Sequence, residues 1–292
     1  MEKDELPDVQ SALSPAHFKI TRVGVRGVKK LIHVKRPGME SVITLPTTLD
    51  LFVDLPATQK GSHMSRNIEL ANEIVETSKK NPVTDLETFC AEVAKSLLKK
   101  HSYATFAEVK AVAEYFLERV GPAGRRDTEP YKLIAEVHAE RDGRVRKLIG
   151  VEVIGMTACP CAMEVVRTLI KDSRNALVPT HNQRNISTLM VEVPDDSYFV
   201  EANDLIEIVE KSFSSPTYGI LKRKEEGKLV IEAHKNPKFV EDVVRDMLTK
   251  VLEKYGNLPD DTLVIARSES EESIHKHNAF AERVTTLGEL KK

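Results

Sequence analysis

The sequence predicts an α+β fold built from largely antiparallel sheets, each covered by helices on one face. Three observations predict it. Stretches of apolar and polar alternation come in groups, amphipathic stretches of helical spacing fall between those groups, and the order strands, helices, strands runs twice along the 292 residues. A hydrophobic share of 41% over that length supports one large core or two ordinary ones.

Residues 1–14 are polar and read as a flexible tail. From His17, HFKITRVGVRGVKKLIHV alternates and suits a strand pair broken near Gly27. After Pro37 and Gly38, SVITLPTTLDLFVDLPA is a second extended stretch. Residues 66–78 and 84–100 carry helical spacing, the second with Leu86, Phe89, Val93, Leu97 and Leu98 on one stripe. Cys90 sits inside that helix, as core or neutral surface. Extended runs at 104–118 and 130–140 follow, the latter closing at the hairpin signal Asp142-Gly143.

In the second half, KLIGVEVIG and NISTLMVEV read as strands and 202–213 as a helix. Residues 238–253 form a regular helix whose stripe is Phe239, Val240, Val243, Val244, Met247, Leu248, Val251 and Leu252. Pro237 stands just before it, where a missing N–H is harmless. Strands at 261–267 and 277–284 close the order. The halves share no sequence repeat, so element order alone suggests two consecutive modules, 15–144 and 145–292.

Forty-three basic and 45 acidic residues give a formal charge of -2, so no global field selects nucleic acid, anionic membrane or acidic substrate. Any anion site must be local. No apolar run approaches membrane-spanning length, and MEKDELPDVQSALSPA is charged where a signal peptide needs an apolar stretch; the expectation is a cytoplasmic protein. Three cysteines in such a chain do not make a disulfide framework.

The chemistry concentrates in a few stretches. In ACPCAMEVVRTLIK, Met163, Val166, Leu169 and Ile170 mark an amphipathic helix, with Pro160 in its first turn and Cys159 near the cap. A thiol there faces unpaired backbone N–H groups and the positive end of the helix dipole, which favour a thiolate nucleophile or ligand. Cys161 lies one step into the helix and could point elsewhere; the competing reading makes both cysteines small buried residues. His181, in PTHNQRN, is the first histidine after the pair, and ESIHKHNAF offers Glu272, His275 and His277. Histidines two apart on an extended segment face one side. With no second cysteine pair to close a structural zinc site, an open catalytic metal is the natural reading; a solvated charged patch is the alternative for ESIHKHNAF.

Glu226 in LKRKEEGK could complete a metal shell or be a solvated carboxylate in a basic turn. Glu241 borders an apolar helical stripe, where a carboxylate could grip paired N–H donors such as the N1 and amino edge of guanine. In QKGSHMSRN, Lys60, His63, Ser65 and Arg66 precede or open a helix and suit a local phosphate site, with a simple helix cap as the alternative.

Taken in order, KGSHMSR, ACPC, HNQR, LKRKEE, HKNPKFVEDVVRD and ESIHKHNAFAER closely resemble the type IB GTP cyclohydrolase family, metal-dependent enzymes of the tunnelling-fold (T-fold) superfamily. The resemblance runs from Thr21 to Leu290, and TACPCA and HNAFAERVTTLGEL are nearer the archaeal, methanopterin-pathway branch than the bacterial folate branch. It implies two tandem T-fold modules, the second carrying most of the metal site, in a homotetramer with sites at subunit interfaces. It implies conversion of GTP to 7,8-dihydroneopterin 2′,3′-cyclic phosphate with release of formate; the bacterial branch would give the triphosphate.

By motif, Cys159, His181, Glu226 and His275 look like metal ligands, for Fe²⁺ with Mn²⁺ or Zn²⁺ able to occupy the same site. Cys159, Glu272 and His275 would be catalytic, and Glu241 would anchor guanine. Lys60, His63, Ser65, Arg66 and Arg184 would hold phosphate. Neither nucleic acid nor membrane is an expected partner. A cysteine-nucleophile enzyme like the T-fold nitrile reductases and a zinc-binding module are the rivals. The extra histidines speak against the first, whose chemistry needs no metal shell.

Overall fold

Long alternating stretches become long strands in the computed structural model, which describes residues 7–36, 40–171, 177–195 and 197–292. In chain order these are β1 (Ile20–Val34), β2 (Ile43–Leu55), α1 (Met64–Lys80), α2 (Leu86–Lys100), β3 (Phe106–Val120), β4 (Arg126–Glu140) and β5 (Val145–Ala158). Then come α3 (Pro160–Leu169), β6 (Asn182–Val193), α4 (Ala202–Glu210), β7 (Ser215–Pro216), α5 (Arg223–Lys235), α6 (Val240–Tyr255), β8 (Leu263–Glu271), β9 (Ala279–Thr286) and α7 (Leu287–Leu290). The chain divides into two compact units, residues 1–114 with 134–148, and 115–133 with 149–292.

In the first unit the hydrogen-bonded strand order is β1-β2-β3-β4-β5, with β1–β2 and β2–β3 antiparallel. Helix α1 packs on β1, α2 on β2, and the helices on each other. Phe89, Leu86 and Leu97 of α2 meet Ile32, Leu49 and Leu51 in a core where each is essentially fully buried. Asp85 caps α2 by accepting the Thr88 N–H at 2.7 Å, an interaction of about 1 kcal/mol. Cys90 is buried and burial pushes its thiol up, so of the two readings, core and neutral surface, it is core.

The strand pair expected around Gly27 is one strand. Its pairing with β2 shifts register between Val25 and Val28, Gly27 adopts φ of 73°, and its N–H donates to Asp50 Oδ1 at 2.8 Å. A glycine in the left-handed region absorbs an irregularity that would otherwise end the strand. The expected break at Pro37-Gly38 lies outside the described residues. The tail is engaged where described: the N–H groups of Lys60 and Gly61 donate to Ala12 and Gln10, and His63 Nε2 lies 2.9 Å from Asp8 Oδ1.

In the second unit the order is β5-β6-β8-β9, with β7 paired to β5 and antiparallel β6–β8 and β8–β9 ladders. Helix α6 packs on β8 and β9, and α4 on β6 and α6. Met247, Leu205, Ile206 and Leu189 are fully buried between them. The basic turn expected around Glu226 is the start of α5, where the Glu225 carboxylate accepts the Lys222 N–H at 2.8 Å. The apolar stripe expected to bury α3 does so fully only at Met163; Val166 is half-buried, and Leu169 and Ile170 are exposed.

Candidate functional site

The end of β5 is the anchor of a cleft in the second unit. Cys159 is the N-cap of α3, in extended backbone, and its Sγ accepts the Ala162 N–H at 3.4 Å, with Pro160 opening the helix. The segment leading into β6 is stitched beside it: the Cys159 N–H donates to the His181 carbonyl at 3.0 Å, and Thr180 Oγ1 donates to the Cys159 carbonyl at 2.7 Å. The Lys238 N–H donates to the Ala158 carbonyl at 3.0 Å, which brings the start of α6 to the same place. The β6–β8 register supplies the third wall. Arg184 pairs with Glu271, so Glu272 emerges opposite Gln183.

The resulting cleft is about 250 Å³ and is lined by Cys159, His181, Gln183, Glu241, Glu272 and His275, with Phe239 and Phe280 as apolar walls. Gln183 is its hub. The side-chain Nε2 lies 3.0 Å from His181 Nδ1 and donates to Glu272 Oε2 at 3.0 Å, while Thr157 Oγ1 donates to its Oε1 at 3.2 Å. His181 Nδ1 and Glu272 Oε2 are 3.6 Å apart. The His181 and His275 rings stand perpendicular at 6.4 Å, and His275 stacks on His277 at 5.2 Å. A thiol, imidazoles and a carboxylate around one cleft form a donor set that suits Zn²⁺ or Fe²⁺.

Five residues expected at the site, Cys159, His181, Glu241, Glu272 and His275, therefore line one cleft. The loop 272–278 that carries His275 and His277 is bent rather than extended, yet their rings face together. Cys161 is exposed on α3. Glu226 is not in the cleft lining; it is exposed in the first turn of α5 because the Glu225 side chain takes the capping position. Arg184 is also outside the lining, since alternation along β6 buries Gln183 and Asn185 and turns Arg184 to solvent. Lys60, His63, Ser65 and Arg66 belong to the first unit, where two backbone donors and His63 are already taken by residues 8–12.

Sequence reasoning missed Gln183, Thr157 and Ser270 as cleft residues. A signal exists: Gln183, Asn185 and Ser187 are polar at alternate positions on the face of β6 that Leu189, Val191 and Val193 continue, so a buried polar row must find partners there. A second cluster also went unnoticed. In the first unit, ligand atoms of Glu108, Glu136 and His138 lie within 4.8 Å of one another, a group able to hold a metal ion.

A sequence profile described as Type I GTP cyclohydrolase folE2 matches residues 6–281. The chain is 45% identical to the "GTP cyclohydrolase MptA" of Methanosphaera stadtmanae, covering 100% of this chain and 98% of that protein. It is 44% identical to the "GTP cyclohydrolase MptA" of Methanothermobacter thermautotrophicus, over 98% and 95% of the two chains. Among solved structures, the uricase of Arthrobacter globiformis superposes with a TM-score of 0.57 at 8% identity, over 91% of this chain and 93% of that one. That likeness, with the antiparallel strands and covering helices, makes the fold an α+β tunnelling fold.

Proposed function

This chain belongs to the type I GTP cyclohydrolase folE2 family and is a GTP cyclohydrolase, and from that premise we propose how it acts on GTP. It opens the guanine ring system at C8, releases formate and closes a pterin, as the first step of methanopterin biosynthesis. The observation that carries the site assignment is the gathering of Cys159, His181, Glu272, His275 and Glu241 around one cleft.

Glu241, at the start of α6, accepts from the N1–H and amino group of guanine, a paired contact that fixes which edge of the base enters. Phe239 and Phe280 supply apolar walls to the purine. Cys159, His181 and His275 would hold the metal, proposed as Fe²⁺ with Mn²⁺ or Zn²⁺ able to use the same donors. A bound divalent ion supplies Lewis-acid activation of water. Glu272 would move protons at the opened ring, a task open to His275 only when it is not bound to the metal, with Gln183 keeping Glu272 and His181 in place.

Size limits what this cleft does alone. At about 250 Å³ it falls below the roughly 300–1,000 Å³ of pockets that enclose a whole small-molecule ligand. The cleft takes the base, and the triphosphate is held by surfaces outside it. Lys60, His63, Ser65, Arg66 and Arg184 are assigned that task in a homotetramer with sites at subunit interfaces, built from tandem modules at 15–144 and 145–292. Glu226 would join the metal only through approach of α5 in that assembly. The exposed Val165 and Leu169 of α3, with Ile170 just after it, support an assembly, since neighbouring apolar side chains left open to solvent are interface material.

No helix among the described residues is long and apolar enough to cross a membrane, and we place the enzyme in the cytoplasm, acting on GTP without nucleic acid. The product is the 2′,3′-cyclic phosphate. That product keeps one of the three phosphorus atoms of GTP, the other two leaving as pyrophosphate when a neighbouring hydroxyl of the pterin side chain attacks the α-phosphorus, whereas the folate-type product keeps all three. Anaerobic incubation with GTP and Fe²⁺, followed by mass measurement of the pterin, separates them; a triphosphate would overturn the cyclic-phosphate assignment.

A further inference from the structure

The trio in the first unit is built from strand interiors. Glu136 and His138 are two apart on β4 and therefore project from the same face, and Glu108 comes from β3. The Glu108 carboxylate is split between two tasks. Its Oε1 accepts from Arg22 Nη2 at 2.5 Å, while Oε2 faces His138 Nε2 at 4.0 Å. Arg22 is itself seated over the Phe52 ring at 4.4 Å, so the carboxylate is oriented from behind, as ligating carboxylates commonly are.

His138 Nε2 is the telling atom. The atom is shielded from solvent, although the imidazole as a whole is half-buried, and it lies 3.2 Å from Glu136 Oε1 and 4.0 Å from Glu108 Oε2 without a well-angled hydrogen bond to either. A buried ring nitrogen without a hydrogen bond is costly, and one aimed between two carboxylates has the donor arrangement of a cation site. Donors bound to one ion at roughly 2.0–2.2 Å sit about 3 Å apart, so separations within 4.8 Å close by small side-chain rotations.

We propose that Glu108, Glu136 and His138 form a divalent-cation site in the first unit, sharing no residue with the Cys159 cleft. Two carboxylate oxygens and one imidazole nitrogen, with no thiolate, select Mn²⁺, Fe²⁺ or Zn²⁺ and leave positions open to water or an anionic ligand. The alternative is an ion pair of protonated His138 with Glu136.

The test is Mn²⁺ titration of the metal-stripped full-length chain, followed by the loss of the free-ion electron paramagnetic resonance signal. The background is the Cys159→Ala/His181→Ala double variant, which disables the cleft. One Mn²⁺ per chain is expected to remain, and His138→Gln or Glu136→Gln added to that background weakens it about tenfold or more. Using two separate trio variants, each checked for native circular dichroism, guards against one failing to fold. No Mn²⁺ bound in the double variant, or binding unchanged by both trio substitutions, overturns the site and leaves His138 as an ion-pair partner.

Discussion

The two donor clusters differ in what holds them. In the cleft, Cys159 caps a helix, His181 precedes β6, Glu272 follows β8 and His275 rides a loop, so every donor sits where a regular element begins or ends. In the trio, all three donors project from strand interiors and are fixed by the ladder. The cleft donors are gathered but spread, with Gln183 wedged between His181 and Glu272; the trio is already drawn together. Element ends are where a fold tolerates movement during turnover, and strand interiors are where it holds a fixed charge arrangement. The comparison assigns chemistry to the first kind of place and static binding to the second.

The hardest blow to that division would come from the cysteines. Cys159→Ala is expected to lower formate release from GTP by more than about a hundredfold, beyond the usual effect of a residue that only supports a ligand, while exposed Cys161→Ser stays near the parent rate. Next is Glu241→Gln. Losing a charged acceptor for the guanine edge costs about 1.5–3 kcal/mol, read as a KM for GTP raised about tenfold to a hundredfold with kcat less affected. Gln183→Leu should cost about tenfold to a hundredfold in metal affinity or turnover, because His181 and Glu272 lose their shared partner. An unchanged rate would mean that the spread arrangement of the cleft needs no internal support.

The smallest effect separates structure from chemistry in the first unit. Burial, with the Asp85 charge second, raises the Glu87 carboxyl to about 8 from its ordinary 4.5. A group whose folded value lies above its unfolded one binds more protons when folded, so stability falls as pH rises from 4.5 towards 8 and then levels. Glu87→Gln should flatten that slope in urea midpoints taken across this window and leave the KM for GTP unchanged.

Legibility followed periodicity and short words. The stripe of α6, with Val243, Met247 and Val251 buried, and the cap at Cys159 could be read directly, since spacing and end chemistry are local. Helix α5 could not: it buries only Ala233 and His234, and Gly227 interrupts its first turns, so no stripe advertises it. The trio was illegible for another reason. Glu136-x-His138 is a common strand pattern, and its meaning comes from Glu108 on a different strand. Gln183 stood in the quoted HNQR word, yet its importance depends on the β6–β8 register that sets Glu272 beside it.

The central claim is that the Cys159 cleft opens GTP. Anaerobic single-turnover measurement of formate from GTP, with wild type, Cys159→Ala and Cys161→Ser compared at equal Fe²⁺, tests it most directly. The account predicts formate and a pterin from wild type and Cys161→Ser, and neither at a comparable rate from Cys159→Ala. Formate released by Cys159→Ala as fast as by wild type would contradict it.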